Sequence, residues 1–331
     1  MFRHPAVSRW VKLGLLAVTL GFCGYGLFSQ RAAVAAALHG LAWLPVAGAL
    51  AAATAGLGCM MLAWRALLAD LGSPLPPVTA VRIFFIAQLA KYVPGAVWAA
   101  AAQVELARGH QVPRARSATV AVAGMLVSLA TGLLVAAVAL PLSSAGAARH
   151  YWWALALALP LLCGLYPPLT SFALNRALRI LRRPPLERPI SMGGMARAFA
   201  WSLLGWGFFG LHAWLLVVAV AGRGLGALPL AVGAYALAWS VGFILIPFPG
   251  GVGPRELALV AALAPIMSPG PAIAVAVLSR VAMTVGDLAW AALAAGLGWE
   301  ARRQAARPGP AGQEQIGPVS ECPQERDVKL S

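Results

Sequence analysis

The chain has 331 residues, 60% of them apolar and only 11% charged, against roughly a quarter charged in ordinary soluble domains. This excludes a disordered chain and nearly excludes a soluble globule. The formal charge of +15 does not mark a nucleic-acid binder, because the basic residues lie between apolar runs instead of covering a soluble surface.

Runs of about 20 apolar residues, each able to cross a hydrocarbon core ~30 Å thick, predict an all-α polytopic membrane protein. Residues 11–30 follow Arg3, Arg9 and Lys12 and predict a first transmembrane helix. The small-residue pattern Ala33-Val34-Ala35 keeps a secretory signal open as the alternative, and the length of the run favours the helix. Further crossings are predicted near 42–64, 117–141, 151–170, 196–222 and 271–298, six in all.

Two more apolar stretches, about 78–107 and 229–264, are each interrupted at their middle by a Pro-Gly element: Tyr92-Val93-Pro94-Gly95-Ala96-Val97-Trp98 and Phe248-Pro249-Gly250-Gly251-Val252-Gly253. Proline removes a backbone donor and glycine admits non-helical dihedrals, so a continuous helix through either point is costly. Both stretches are predicted to be re-entrant helical hairpins, with their irregular backbone sheltered by protein or by a water-filled cavity.

Positive charge supports this topology. With both termini cytoplasmic, the inner segments carry Arg3, Arg9 and Lys12, then Arg65 and Arg82, then Arg108, Arg114 and Arg116. They also carry six arginines between 176 and 197, and Arg302, Arg303 and Arg307. The outer segments hold only Arg31, Arg149 and Arg223, while Lys91, Arg255 and Arg280 fall at membrane depth.

Pro94 and Pro249 lie 155 residues apart, close to half the chain, and this spacing predicts an internal duplication. Residues 1–145 and 146–300 each hold three crossings and one hairpin, and an odd number of crossings inverts the second repeat relative to the first. Two opposed hairpins meeting near the midplane match the way secondary transporters build a central site. Residues 301–331, polar and rich in Pro, Gln and Glu, are predicted to be a disordered cytoplasmic tail.

Each helix start at a break leaves unpaired N–H groups that favour an anion, and a lipid phosphate suits such an end beside Lys91 or Arg255. Capping and snorkelling are the plainer roles for Lys91. Glu256, two residues after Pro254, falls in the first turn of a helix, as either a cap or the lining of a pathway. Arg280 and Asp287 are seven residues apart, hence on one helical face but about 10 Å apart along the axis, too far to pair with each other. The expected partners are Glu256 for Arg280 and Arg255 for Asp287, either as a structural network or as a substrate site.

Gln88, Trp98, Gln103 and Glu105 line the first hairpin in the same scheme. Gly205-Trp206-Gly207-Phe208-Phe209-Gly210 has the spacing of a dinucleotide fingerprint but no preceding strand, so it is read as a close helix-packing surface, with His212 as a hydrogen-bonded packing residue. Residues 171–197 carry an apolar stripe of Phe172, Leu174, Leu178 and Leu181 among arginines and predict an interfacial helix on anionic lipid. Cys23, Cys59, Cys163 and Cys322 form no framework, and the histidines show no metal-ligand spacing, so neither a cofactor nor a metal is expected.

Ala87-Gln88-Leu89-Ala90-Lys91-Tyr92-Val93-Pro94-Gly95-Ala96-Val97-Trp98 and Pro247-Phe248-Pro249-Gly250-Gly251-Val252-Gly253-Pro254-Arg255-Glu256, followed by Arg280, resemble the transmembrane region of lysylphosphatidylglycerol synthases and the flippase-like proteins that share it. The resemblance spans about residues 10–300 and implies movement of lipid between leaflets. The cytosolic aminoacyltransferase domain of the bifunctional synthases has no counterpart here, so synthesis of lysyl lipid is not implied. Ala99 to Ala102 stand where many relatives place Gly-Arg, which argues against an arginine head-group contact in the first hairpin.

The expected function is a bacterial-type inner-membrane lipid translocase or lipid-binding transport protein, acting on a phospholipid or lipid-linked head group. Its expected substrate-binding residues are Gln88, Lys91, Tyr92, Pro94, Gly95, Trp98, Pro249, Gly250, Gly251, Arg255, Glu256, Arg280 and Asp287. A proton-coupled small-solute transporter is the alternative, and a non-transporting partner of a glycosyltransferase or other lipid-modifying enzyme is a third reading. No nucleophile-base pair or metal-ligand spacing supports an intramembrane enzyme. A homodimer is compatible with all of these.

Overall fold

The structure, a computed structural model, describes residues 32, 35, 40–92, 98–143, 152–180, 188–244 and 253–305. The predicted crossing at 11–30 and the tail beyond residue 305 lie outside the described residues, as do Pro94, Gly95, Pro249, Gly250 and Gly251.

Among the described residues all regular structure is helical: α1 (Trp43–Asp70), α2 (Pro77–Gln88), a 3-10 turn (Leu89–Tyr92), α3 (Trp98–Arg108), α4 (Arg114–Ser143), α5 (Trp152–Gly164), α6 (Pro167–Ile180), α7 (Met192–Ala221), a 3-10 turn (Leu225–Ala227), α8 (Leu228–Ile244), α9 (Pro254–Leu263) and α10 (Pro269–Ala305). Five segments are long and apolar enough to cross a bilayer: α1, α4, α7, α8 with its preceding turn, and α10 as far as Leu297.

Local chemistry sets these boundaries. Gly72, at φ 85°, ends α1 in the left-handed region, and Pro77 opens α2 at a position where its missing N–H costs nothing. The hydroxyl of Ser191 caps α7 by accepting from the Gly194 N–H at 2.9 Å. Asp70, at the end of α1, accepts from the Ser191 N–H at 2.7 Å and from its hydroxyl at 2.5 Å, which fastens α1 to α7.

The sequence reading requires two corrections. The crossing predicted at 151–170 is not one straight helix, because α5 and α6 meet at 82°. Pro167 cannot donate to the preceding turn and drives Tyr166 out of the helical region, leaving α5 with 13 residues against the about 20 that a crossing needs. In α6, Leu174 and Leu178 of the predicted stripe are buried while Phe172 is exposed and Leu181 lies outside the described residues. The second predicted hairpin has unequal arms: α8 with its turn is 20 residues, itself long enough to cross, and α9 is only 10.

The predicted glycine surface on α7 packs closely, as expected. A Cβ on Gly205 would lie 2.9 Å from Met60 Cε of α1, and one on Gly210 would lie 2.6 Å from Val232 of α8. Gly210→Ala is expected to lower stability by about 1–3 kcal/mol through overpacking, whereas Gly207→Ala, at a position with open space, is expected to be silent. Thermal unfolding in detergent distinguishes the two.

Several hydrogen bonds gather one end of the bundle. Arg116, in the first turn of α4, donates to the Gly72 carbonyl at 3.1 Å and to the Ser73 hydroxyl at 2.5 Å, so the chain entering α2 and the chain leaving α3 come together. Glu105 of α3 accepts from Arg114 at 3.0 Å and from Arg108 at 3.1 Å in the same region. Those hydrogen bonds, Arg114 first, hold the exposed Glu105 carboxyl below its ordinary pKa.

A lowered folded-state value means that the Glu105 contribution to stability is present above the ordinary carboxylate range and is lost as pH falls through the lowered value. Arg114→Ala is expected to move the Glu105 titration upward. Carbon-13 NMR of the labelled side chain reads the shift.

At the opposite end, Arg223, Gly224, Gly226 and Ala227 before α8 meet Ile266 after α9 around a cleft of about 270 Å³.

The packing pattern is preserved when the elements of the two halves are exchanged. Helix α1 packs on α7; α4 packs on α8 and α10 on α2; α1 packs on α4 and α7 on α10; α1 packs on α10 and α7 on α4; α3 packs on α4 and α9 on α10.

Candidate functional site

The inner ends of the two short pairs converge on α10. Gly286 lies against Leu57 and Thr54, so this stretch of α10 is level with the middle of α1. From the first pair, Lys91 Nζ lies 2.6 Å from Asp287 Oδ2. The Tyr92 hydroxyl donates to the same oxygen at 2.7 Å and lies 3.4 Å from Thr284 Oγ1.

From the second pair, Glu256 Oε1 forms an ion pair with Arg280, 3.3 Å from its Nε, while its other oxygen accepts from the Gly253 N–H at 2.7 Å. Glu256 is thus both a helix cap and an ion-pair partner, and Gly253 needs its φ of 94° to present that N–H.

Arg255 is held differently. It donates to the Tyr235 hydroxyl, and its guanidinium lies over the Tyr235 ring, 5.0 Å from the centroid. Tyr235 is buried and meets the His212 ring edge-on at 5.6 Å. His212 Nδ1 faces the Ala49 carbonyl at 2.9 Å, so that nitrogen carries the proton, and Nε2 accepts from the Ser279 hydroxyl at 3.0 Å. This satisfied geometry matches the packing role expected of His212. Loss of both bonds in His212→Ala is expected to cost about 2–4 kcal/mol, seen as a lower unfolding midpoint.

The expected pairing of Arg280 with Glu256 is present. The expected pairing of Asp287 with Arg255 is not: Asp287 takes Lys91, and Arg255 takes Tyr235. The reason is depth along α10. One face carries both charged residues, but Asp287 lies two turns beyond Arg280, level with the tip of the first pair, whereas Arg255 is held on α8.

Gln88 ends α2 and is half-buried, with Lys91 and Tyr92 in the turn that follows; Trp98 opens α3 and is 50% exposed. Sequence reasoning missed Tyr235 and Thr284. Tyr235 is one of two hydroxyl residues in an apolar run, with Ser240, and only its position in the helix before the one that starts Pro254-Arg255 signals its role.

Electrostatically the cluster is open and unbalanced. Lys91, Arg280 and Glu256 keep 31%, 30% and 22% of their side chains accessible, while Asp287 keeps 1%. Both contacts lie on one stretch of α10, Arg280 two turns before Asp287. Among the described residues two carboxylates face three basic side chains and Arg255 has no carboxylate partner, so by formal charge the cluster carries one positive charge in excess.

Among the described residues no group of three or more His, Cys, Asp or Glu side chains has the arrangement of a metal site. No curated protein matches the chain. The family described as the lysylphosphatidylglycerol synthase TM region matches residues 9–291, the stretch that contains every described element of this cluster, and the chain belongs to that family of integral multi-pass membrane proteins.

Proposed function

We propose that the protein is a lipid translocase that holds a phosphate-bearing head group against Arg255, between the inner ends of the two short helix pairs, while the acyl chains stay in the bilayer. The observation that carries this reading is the formal excess of positive charge at mid-depth, with a guanidinium held in place by a tyrosine and, among the described residues, without a carboxylate. Ionisable groups at membrane depth are costly and mark a substrate path, and arginine matches phosphate oxygens with paired donors.

The packing pattern that survives exchange of the two halves supports an inverted repeat, and the opposite open ends of α2–α3 and α8–α9 support opposed re-entrant hairpins. Arg65, Arg108, Arg114, Arg116, Arg188 and Arg197 lie in or beside the segments joined at the α1–α7 end, and this makes that end cytoplasmic in the proposed orientation.

The test uses proteoliposomes containing phosphatidylglycerol labelled with a fluorophore on one acyl chain, with dithionite bleaching the outer leaflet. The wild-type protein is expected to expose the inner-leaflet probe. Arg255→Ala is expected to slow this by about ten- to a hundredfold, the loss of a charge-assisted contact. Transfer no faster than in protein-free liposomes overturns the reading.

A further inference from the structure

Asp287 is the most deeply enclosed acid of the cluster, and its two oxygens are used unequally. Oδ2 takes Lys91 Nζ at 2.6 Å and the Tyr92 hydroxyl at 2.7 Å, while Oδ1, in a side chain only 1% exposed, has no hydrogen-bond partner among the described residues. Glu256 is better supported: one oxygen meets Arg280, the other a backbone N–H, and 22% of the side chain is accessible. Glu256 can lose a contact and keep its charge. The charge on Asp287 depends on Lys91.

Lys91 keeps 31% of its side chain accessible, so its flexible stem can carry the ammonium into water. The carboxylate left behind has no such exit. An unpaired charge in a buried site at membrane depth is far costlier than the neutral acid, so the carboxyl takes a proton as the lysine departs. Water entering behind the lysine delivers it, and the new O–H bond forms on Oδ1, the oxygen whose lone pairs are unengaged. Lys91 stays an ammonium and Tyr92 keeps its own proton, so one proton enters at each release and leaves when Lys91 returns.

The other ionisable groups on the helices packed against α10 are held elsewhere. On α1, Arg65 donates to the Leu75 carbonyl, Asp70 holds Ser191, and Cys59 lies against Gly205 of α7. On α7, Arg197 lies 3.9 Å from Asp70, and His212 is bonded to Ala49 and Ser279. On α9, Glu256 meets Arg280 and Arg255 meets Tyr235. Arg82 of α2 comes nine residues, more than two turns, before Lys91. Among the described residues Asp287 is thus met by Lys91 and Tyr92, with Arg280 two turns earlier on its own helix.

Resting on the translocase reading, we propose that Asp287 is a proton-binding site at which a proton on Oδ1 is exchanged for Lys91, so that the tip of the first helix pair lets go of α10 by taking up one proton and lipid transfer is proton-gated. The released state binds one proton more than the gripped state. Acid therefore favours release, and the transfer rate rises as pH falls, by up to about tenfold for each pH unit.

The experiment follows phosphatidylglycerol labelled on a short acyl chain in proteoliposomes, read by extraction into albumin, with pH set equally on both sides between about 5.5 and about 8. The phosphodiester keeps its charge over this range. The wild-type rate is expected to rise about tenfold or more from the upper limit to the lower. Asp287→Asn, which cannot ionise, is expected to show the acid-limited rate at every pH. Infrared spectra in an ester-free detergent give a second reading: Lys91→Met at neutral pH is expected to show the carbonyl stretch of a protonated carboxyl, absent from the wild type and from Lys91→Met/Asp287→Asn.

A wild-type rate independent of pH overturns the inference and leaves translocation standing. So does a pH dependence that survives in Asp287→Asn, which places the proton on another group, and so does a folded Lys91→Met protein whose carboxyl stays ionised. Transfer no faster than in protein-free liposomes at every pH removes the translocase reading and the gating with it. The wild-type pH profile needs no variant to fold.

Discussion

Replacing Lys91 with methionine is expected to destabilise the protein by about 3 kcal/mol. The variant strands the Asp287 carboxylate, 1% exposed, without its counter-ion, and a buried charge that has lost its partner is among the most expensive defects a fold can carry. The Tyr92 hydroxyl remains but donates only one bond.

The reciprocal change, Asp287→Asn, is expected to cost only about 1 kcal/mol, because Lys91 is 31% accessible and its flexible stem can carry the ammonium outward. Lys91→Met combined with Asp287→Asn is expected to recover most of the loss. Denaturant midpoints in mixed micelles measure all three. Equal losses for the two single variants would place the carboxylate in water and contradict the burial.

Glu256→Ala is expected to cost about 2–3 kcal/mol, with two separable parts. One is the cap on the Gly253 N–H, worth about 1 kcal/mol, and the other is the ion pair with Arg280, a charged hydrogen bond worth about 1.5–3 kcal/mol when well sheltered and less at 22% exposure. Glu256→Gln retains an amide oxygen for the cap and removes the charge, so it is expected to recover roughly 1 kcal/mol of stability.

It also leaves Arg280 and Arg255 facing each other with one carboxylate fewer. On the proposed translocase reading the glutamine variant is expected to hold phosphate lipid more strongly and to retain it through purification. Native mass spectrometry reads this directly, and a glutamine variant as lipid-free as the alanine one would remove the electrostatic account.

The helical, membrane-spanning character of the chain was legible in the sequence because hydrocarbon thickness sets a length that apolar runs must meet, and α1, α4, α7 and α10 meet it with little ambiguity. The pairing of Arg280 with Glu256 was legible because a charge on an apolar face must find an opposite one, and the topology offered few. The partner of Asp287 was not: a seven-residue spacing fixes the face of α10 but not which hairpin reaches which turn, and Lys91 before one Pro-Gly element and Arg255 after the other were both available cations.

The bend between α5 and α6 was overlooked because hydropathy is blind to backbone donors. The run is apolar through Leu165, and only the pair Pro167-Pro168 records the break. The hold of Tyr235 on Arg255 is a contact between sequence positions with no periodic relation, which packing alone reveals.

Helix α10 makes a contact with each short pair, Arg280 with one and Asp287 with the other, on a single unbroken rod. A rod transmits displacement without loss over two turns, so neither tip can shift along the bundle axis without loading the grip on its counterpart. Axial sliding strains both contacts together, whereas a roll of the rod by one residue step, about 100°, swings both side chains off their partners at once. The two contacts are thereby geared to a common shaft.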